Sequence, residues 1–216
     1  MRLKKSRSEK IAIKWAVALK DPWGVDASSS ALKSDSRAKA ISSFKIRLKK
    51  YHLLLQDSRC GYCRVSLHNR NIETDREHIL PKERFKFLCF DIYNLSVACK
   101  TCNMSIKKRR VTHLTSKGVL LHKDILDERN YKIVHPNIHV WSEHIDLQGD
   151  EDGDSVFRLY YPITDRGKFT YDFFKLKDLE RARNNDAQRI LPRGRTRKGD
   201  HPDIIAAAKA TGQARR

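Results

Sequence analysis

Four of the five cysteines fall into two C-x-x-C pairs, Cys60-Gly61-Tyr62-Cys63 and Cys99-Lys100-Thr101-Cys102. Each such turn aims two thiolates at one metal, and two turns together complete a tetrahedral zinc site. Four thiolates leave no open position for a water, so this zinc is expected to be structural and any chemistry must come from other groups. Candidates for those groups lie between and just after the pairs: Asp75-Arg76-Glu77-His78-Ile79-Leu80-Pro81-Lys82, then Asn94-Leu95, then Asn103 directly after the second pair. A neutral imidazole can take a proton from water at about pH 7. A carboxylate and an amide oxygen suit a hard divalent cation, which polarises a phosphoryl group and steadies a leaving oxygen. The fifth cysteine, in Phe87-Leu88-Cys89-Phe90, reads as a small core residue.

These residues, in this order, resemble the HNH nuclease family. The resemblance rests on Glu77-His78 with Pro81, Asn94-Leu95, and Cys99-x-x-Cys102-Asn103, and covers about residues 60–108. It implies a ββα-metal unit, in which a hairpin carrying Glu77 and His78 packs on a helix beginning near Asn103 and zinc keeps the two in register. It also implies roles. His78 is the general base, Glu77 and Asn103 hold Mg²⁺ or Mn²⁺, and Asn94 braces the loop that orients His78. The expected products carry a 5′-phosphate and a 3′-hydroxyl. The sequence departs from the family in ending the motif on Asn103 rather than His, which favours Mg²⁺ or Mn²⁺ over zinc or nickel. Glu77 stands where Asp is commoner, and the lysine usual after the last motif position falls one residue late, in Ile106-Lys107-Lys108. Lys82, Lys107 and Lys108 are read as phosphate contacts.

Other readings of the same residues stay open at this level. His78 suits a structural role, Asn103 suits a helix cap, and Asp75 suits the cation in place of Glu77. His135 and His139 are four apart, but Pro136 argues against a helix that would pair them on a metal. His113 reads as a surface residue or phosphate contact. The acidic run Gly149-Asp150-Glu151-Asp152-Gly153-Asp154 lacks EF-hand spacing and reads as a solvated hairpin turn.

The charge names the partner class. Lys and Arg total 45 against 26 Asp and Glu, a formal net charge of +19. Such an excess attracts polyanions by releasing their condensed counterions, which points to nucleic acid, DNA first. Charge alone leaves a non-catalytic zinc-dependent binding module as the alternative to a nuclease. The basic residues form no continuous amphipathic anchor, so a membrane surface is not the expected partner. The N-terminal run lacks a cleavage site, and no window approaches a spanning length, so a cytoplasmic protein with reduced thiols is expected.

The elements that must position these groups follow from periodicity. The chain reads as α+β, a small HNH core with helical and mixed flanks. Residues 1–56 form a basic helical extension: one helix about Ile11–Leu19, a turn at Asp21-Pro22-Trp23-Gly24, a serine-rich linker, and a basic amphipathic helix about Ser34–Leu55. Residues 57–115 hold the core, and 116–191 read as strands near Ile138–Leu147 and Val156–Ile163 followed by a helix about Leu176–Ile190. Residues 192–216 read as a basic, flexible tail. The stretch from His135 to Arg183 bears a looser resemblance to HNH effectors of bacterial anti-phage systems of the Septu or retron-associated type. That resemblance implies an ATPase or other activating partner.

Overall fold

The computed structural model describes residues 3–68, 74–115, 124–152 and 155–180. The tail from residue 192, most of the helix expected up to Ile190, and part of the connector after Val111 lie outside these residues. The fold is α+β, with helices and two small two-stranded sheets. The chain divides into two compact units, the first comprising Met1–Asp146 with Pro162–Leu176 and the second Leu147–Tyr161 with Lys177–Arg216.

Helix α1 spans Arg7–Ala18 and opens on a capping box, in which Ser6 accepts from the Glu9 amide and Glu9 accepts from the Ser6 amide. Glu9 is buried there and also takes a hydrogen bond from Arg47 at 2.8 Å. Helix α2 spans Ser36–Leu55 behind an Asp35 cap that accepts from the Arg37 and Ala38 amides. Its buried face runs Ala38, Ile41, Phe44, Lys45, Leu48 and His52, a spacing of three to four that builds one stripe. Ala12 and Ala16 of α1 are fully buried in the same core, where their small side chains let the two helices approach.

Strand β1, Thr74–His78, pairs antiparallel with β2, Leu95–Cys99, in a register that sets Asp75 opposite Ala98, Glu77 opposite Ser96 and His78 opposite Leu95. The far edge of β2 is not bare. Gln56, just past α2, donates to the Val97 carbonyl at 2.8 Å and accepts the Val97 amide at 3.1 Å, standing in for a third strand. Directly after β2 the chain winds into a π-helix, Thr101–Lys107. The connection from β1 to β2 is anchored on both sides: Leu88 belongs to one core cluster with Ile79, Leu80 and Phe85, while Cys89 and Phe90 belong to the α1–α2 core.

Two expectations need correcting, and one helix is unforeseen. The stretch from Ile138 is not yet strand, because the His135 amide donates to His139 Nδ1 and the Asn137 amide donates to His135 Nδ1, which turns the backbone. Strand β3 begins only at Ile145, runs to Asp152, and is followed by β4, Ser155–Pro162. A helix not expected from the sequence, α3, spans Asp165–Phe173, capped by Thr164, whose hydroxyl accepts the Gly167 amide. It stops before Lys175, which has a positive φ of 51°, and a 3₁₀ turn, Leu176–Leu179, follows. Gly167 is required there, since a Cβ would lie 1.9 Å from the His144 carbonyl oxygen. His113, expected at the surface, is fully buried.

Candidate functional site

The four cysteines of the two pairs come together, with their sulfurs all within 4.8 Å of one another. Cys63 and Cys99 Sγ are 3.8 Å apart. A zinc with four thiolates at about 2.3 Å would set its sulfurs about 3.8 Å from each other, which the Cys63–Cys99 pair matches. A disulfide would need about 2.05 Å. Two backbone amides point at the sulfurs, Cys99 N–H to Cys60 and Cys102 N–H to Cys99, each at 3.4 Å. The group could therefore hold zinc, and in doing so would tie the turn at residues 60–63 to the end of β2 and the start of the π-helix.

His78 ends β1 and is 8% exposed. Its Nε2 lies 3.0 Å from the Cys89 carbonyl oxygen. A carbonyl only accepts, so Nε2 carries the proton and Nδ1 is the free base. The loop supplying that carbonyl is braced by Asn94, which is fully buried. Asn94 accepts from the Leu80 amide at 2.8 Å and donates to the Leu80 and Leu88 carbonyls at 3.1 and 3.2 Å. Trp23 meets the His78 ring edge-to-face at 4.5 Å. Burial lowers the His78 pKa to about 4, with the nearby ammonium groups of Lys82, Lys107 and Lys45 adding to the effect and the Cys89 contact opposing it. The ring is thus neutral around neutral pH.

Glu77 faces the other side of β1. It is buried, accepts from the Tyr62 hydroxyl at 3.2 Å, and forms an ion pair with Lys107 at 2.7 Å. Burial pushes its carboxyl above the ordinary value, and Lys107 pulls it back. Asn103 reaches across to the same strand face, but to Asp75: its Nδ2 is 3.0 Å from Asp75 Oδ2. The two residues named for the cation, Glu77 and Asn103, are therefore on one face, each engaged by a different partner. Two carboxylates and an amide oxygen are the hard-oxygen set that Mg²⁺ or Mn²⁺ takes. Among the described residues, the cysteines are the one cluster of three or more His, Cys, Asp or Glu with metal-binding spacing. A second cation would thus rely on few protein ligands plus substrate oxygens, which is the usual habit of Mg²⁺.

Of the lysines read as phosphate contacts, Lys108 is exposed and Lys82 half-buried beside Asp21 at 3.3 Å. Lys107 differs, being 1% exposed and spent on Glu77. The π-helix explains the lysine that falls one residue late: with i→i+5 bonding, such as Lys108 N–H to the Asn103 carbonyl at 2.8 Å, the wider turn takes up the extra residue and returns Lys107 to the strand face. His135 and His139 do not form a metal pair, since His139 Nδ1 accepts the His135 amide and its Nε2 contacts Arg166. Sequence reasoning missed Tyr62, Trp23 and the Cys89 carbonyl. Tyr62 reaches Glu77 from inside the first C-x-x-C turn, Trp23 comes from outside the HNH-like segment, and the third acts through its backbone.

The chain is similar to the Septu protein PtuB of Bacillus thuringiensis, with 26% identity over 130 residues. That alignment covers 60% of this chain and 40% of the relative, so the chain spans well under half of the relative's length. No family model matches the chain, and no solved structure matches it. Among the described residues no helix is long and apolar enough to cross a membrane.

Proposed function

We propose that the protein is a metal-dependent HNH endonuclease that hydrolyses phosphodiester bonds in nucleic acid, DNA first. The observation that carries this reading is the held imidazole. His78 is fixed by the Cys89 carbonyl, on a loop braced by Asn94, at the end of the strand that also carries Glu77. A merely binding module has no use for a neutral imidazole held in one tautomer. Net charge +19 supplies the attraction for the polyanion.

In this reading Nδ1 of His78 takes the proton of the attacking water, and Nε2–H on Cys89 fixes which nitrogen does so. Asn94 keeps that carbonyl in place. Glu77 and Asn103, with Asp75 as the nearest further donor, would hold a divalent cation. When bound, that cation supplies charge neutralisation on the phosphoryl oxygen and the leaving oxygen. Lys82 and Lys108 hold flanking phosphates, and zinc on Cys60, Cys63, Cys99 and Cys102 keeps strand and helix in register.

The likeness to a Septu protein extends the proposal to a role in anti-phage defence, with an ATPase or other activating protein as partner. The test is incubation with supercoiled plasmid in EDTA, Mg²⁺ or Mn²⁺, beside His78→Ala. Metal-dependent nicking or linearisation, lost in the variant while zinc content and DNA binding persist, is the expected result. DNA binding with no cutting under any condition, including with co-purifying partners, would leave a zinc-dependent binding module.

A further inference from the structure

The base has a wall that comes from far away in the chain. Trp23 precedes His78 by 55 residues and sits in the turn between α1 and α2, outside the HNH-like segment. Its ring meets the imidazole at 4.5 Å and 82°, and leans on Phe90 at 5.4 Å. Phe90 is the residue after the one whose carbonyl receives His78 Nε2. The imidazole therefore stands between a backbone acceptor and an indole that rests on the same loop.

The turn is fastened in an unusual way. Lys45 of α2 is 6% exposed, and its ammonium donates to the Trp23 carbonyl at 2.6 Å and the Val25 carbonyl at 2.7 Å. The same ammonium lies 4.8 Å from the Trp23 ring centre. Burying a charged amine is unfavourable, and an apolar side chain would fill the space more simply. What the lysine adds is direction: two charge-assisted bonds fix both carbonyls that flank Gly24. On the outer side, Lys82 pairs with Asp21 at 3.3 Å.

We propose that Trp23 is a positioning residue for His78, the wall that holds the imidazole with Nε2–H on the Cys89 carbonyl and Nδ1 turned to the reacting water. The proposal rests on the nuclease reading. The need for a wall comes from the torsion itself. The χ2 of histidine is broad and two-fold, and a half-turn would put carbon atoms where Nδ1 and Nε2 stand. The hydrogen bond to the Cys89 carbonyl opposes that half-turn, while an indole packed edge-to-face on the ring limits its swing within the broad χ2 well.

The test uses the full zinc-loaded chain with Trp23→Leu and Trp23→Phe. Trp23→Leu is expected to lower kcat about 10- to 100-fold, the range of a misplaced catalytic group, with KM for DNA and zinc content unchanged. Trp23→Phe keeps an aromatic edge and is expected to recover most of that loss. A Trp23→Leu kcat within about twofold of the parent, or a loss seen in KM alone, would overturn the proposal. A second readout does not need cutting. Long-range ¹H–¹⁵N correlation spectra of ¹⁵N-histidine protein, with His78→Ala for assignment, should show His78 as the Nε2–H tautomer with contacts from the Trp23 indole. The parent protein lacking either feature would overturn the proposal even if Trp23→Leu failed to fold. A parent that shows both features but cuts no nucleic acid would count against the nuclease reading while leaving Trp23 as the wall of His78.

Discussion

Lys107→Met is the most informative single perturbation of the site. The Lys107–Glu77 pair is 2.7 Å long, and its two side chains are only 1% and 3% exposed. Removing one member of such a pair strands the other charge, at about 3–5 kcal/mol. The Tyr62 hydroxyl still donates to Glu77, so the lower end, about 3 kcal/mol, is the expected loss. Replacing both charges should be far milder: Glu77→Gln with Lys107→Met is expected within about 1 kcal/mol of the parent, which against about 3 kcal/mol for each single variant is a coupling of about 5 kcal/mol. Urea unfolding at saturating zinc measures all four proteins. A magnesium arm then asks whether Glu77 takes the cation. At ten times its dissociation constant, Mg²⁺ stabilises the native state by about 1.4 kcal/mol. Lys107→Met has freed Glu77 and should gain more than the parent, while the double variant should gain nothing. Single losses that simply add, with coupling below about 0.5 kcal/mol, would refute the view of a closed pair. Equal stabilisation of all four proteins by Mg²⁺ would remove Glu77 from the cation's ligands and turn attention to Asp75.

Other consequences are open to direct measurement. Asn94→Ala leaves the buried Leu80 amide and carbonyl without this partner and the Leu88 carbonyl with the Asp91 amide alone, so a loss of about 2–4 kcal/mol in urea unfolding is expected. Its kcat should fall further than its DNA affinity. Cys99→Ser should abolish zinc binding in a metal-content assay, whereas Cys89→Ser should keep it, because Cys89 sits beside His78 and not in the cluster. Acid should unfold the protein early. Burial lowers the pKa of His52 to about 4 and of His113 to about 3, so both stay neutral when folded while the unfolded chain takes up protons below about pH 6.5. Their stabilising contribution is present above that pH and lost as pH falls, about 2 kcal/mol for each by pH 5. His52→Leu should flatten the stability–pH slope by about one proton, and an unchanged slope would refute the assignment.

What the sequence disclosed was local, and what it hid was distant. Two C-x-x-C turns and the three-to-four spacing of α2 are written within a few residues, and each is where composition and periodicity put it, whereas the Ser6 capping box starts α1 at Arg7, ahead of the expected Ile11. Helix α3 was also written locally, in Thr164-Asp165-Arg166-Gly167, but the strand reading beside it masked the cap. Trp23 on His78, Lys45 on the α1–α2 turn, and Lys107 under Glu77 depend on how separate elements pack. A lysine one place late looked like a departure from the pattern. Only the π winding of Thr101–Lys107 shows that the extra residue is absorbed and the amine turned inward. His113 failed for a related reason: a histidine in a basic stretch reads as exposed unless its burying partners are known, here Phe173 at 6.0 Å.

The sheet that carries the site is too small to stand by itself. Two strands of five residues joined by a 16-residue connection would be marginal in water. Three separate devices replace the missing strands. Gln56 closes the outer edge of β2 with amide bonds of strand type. Asn94 ties both ends of the connection, and the cysteines join the far end of β2 to the turn at residues 60–63. Each device acts at a different point, so their failures should differ. Loss of zinc would free the end of the sheet where Asp75 meets Asn103, while loss of Asn94 would free the end where His78 meets Cys89. Hydrogen exchange can tell these apart. Zinc removal should deprotect the Cys99–Lys107 amides before those of Ile79 and Leu80, and Asn94→Ala should reverse the order. The same order in both would mean that the hairpin opens as one unit, and that zinc and Asn94 support His78 equally.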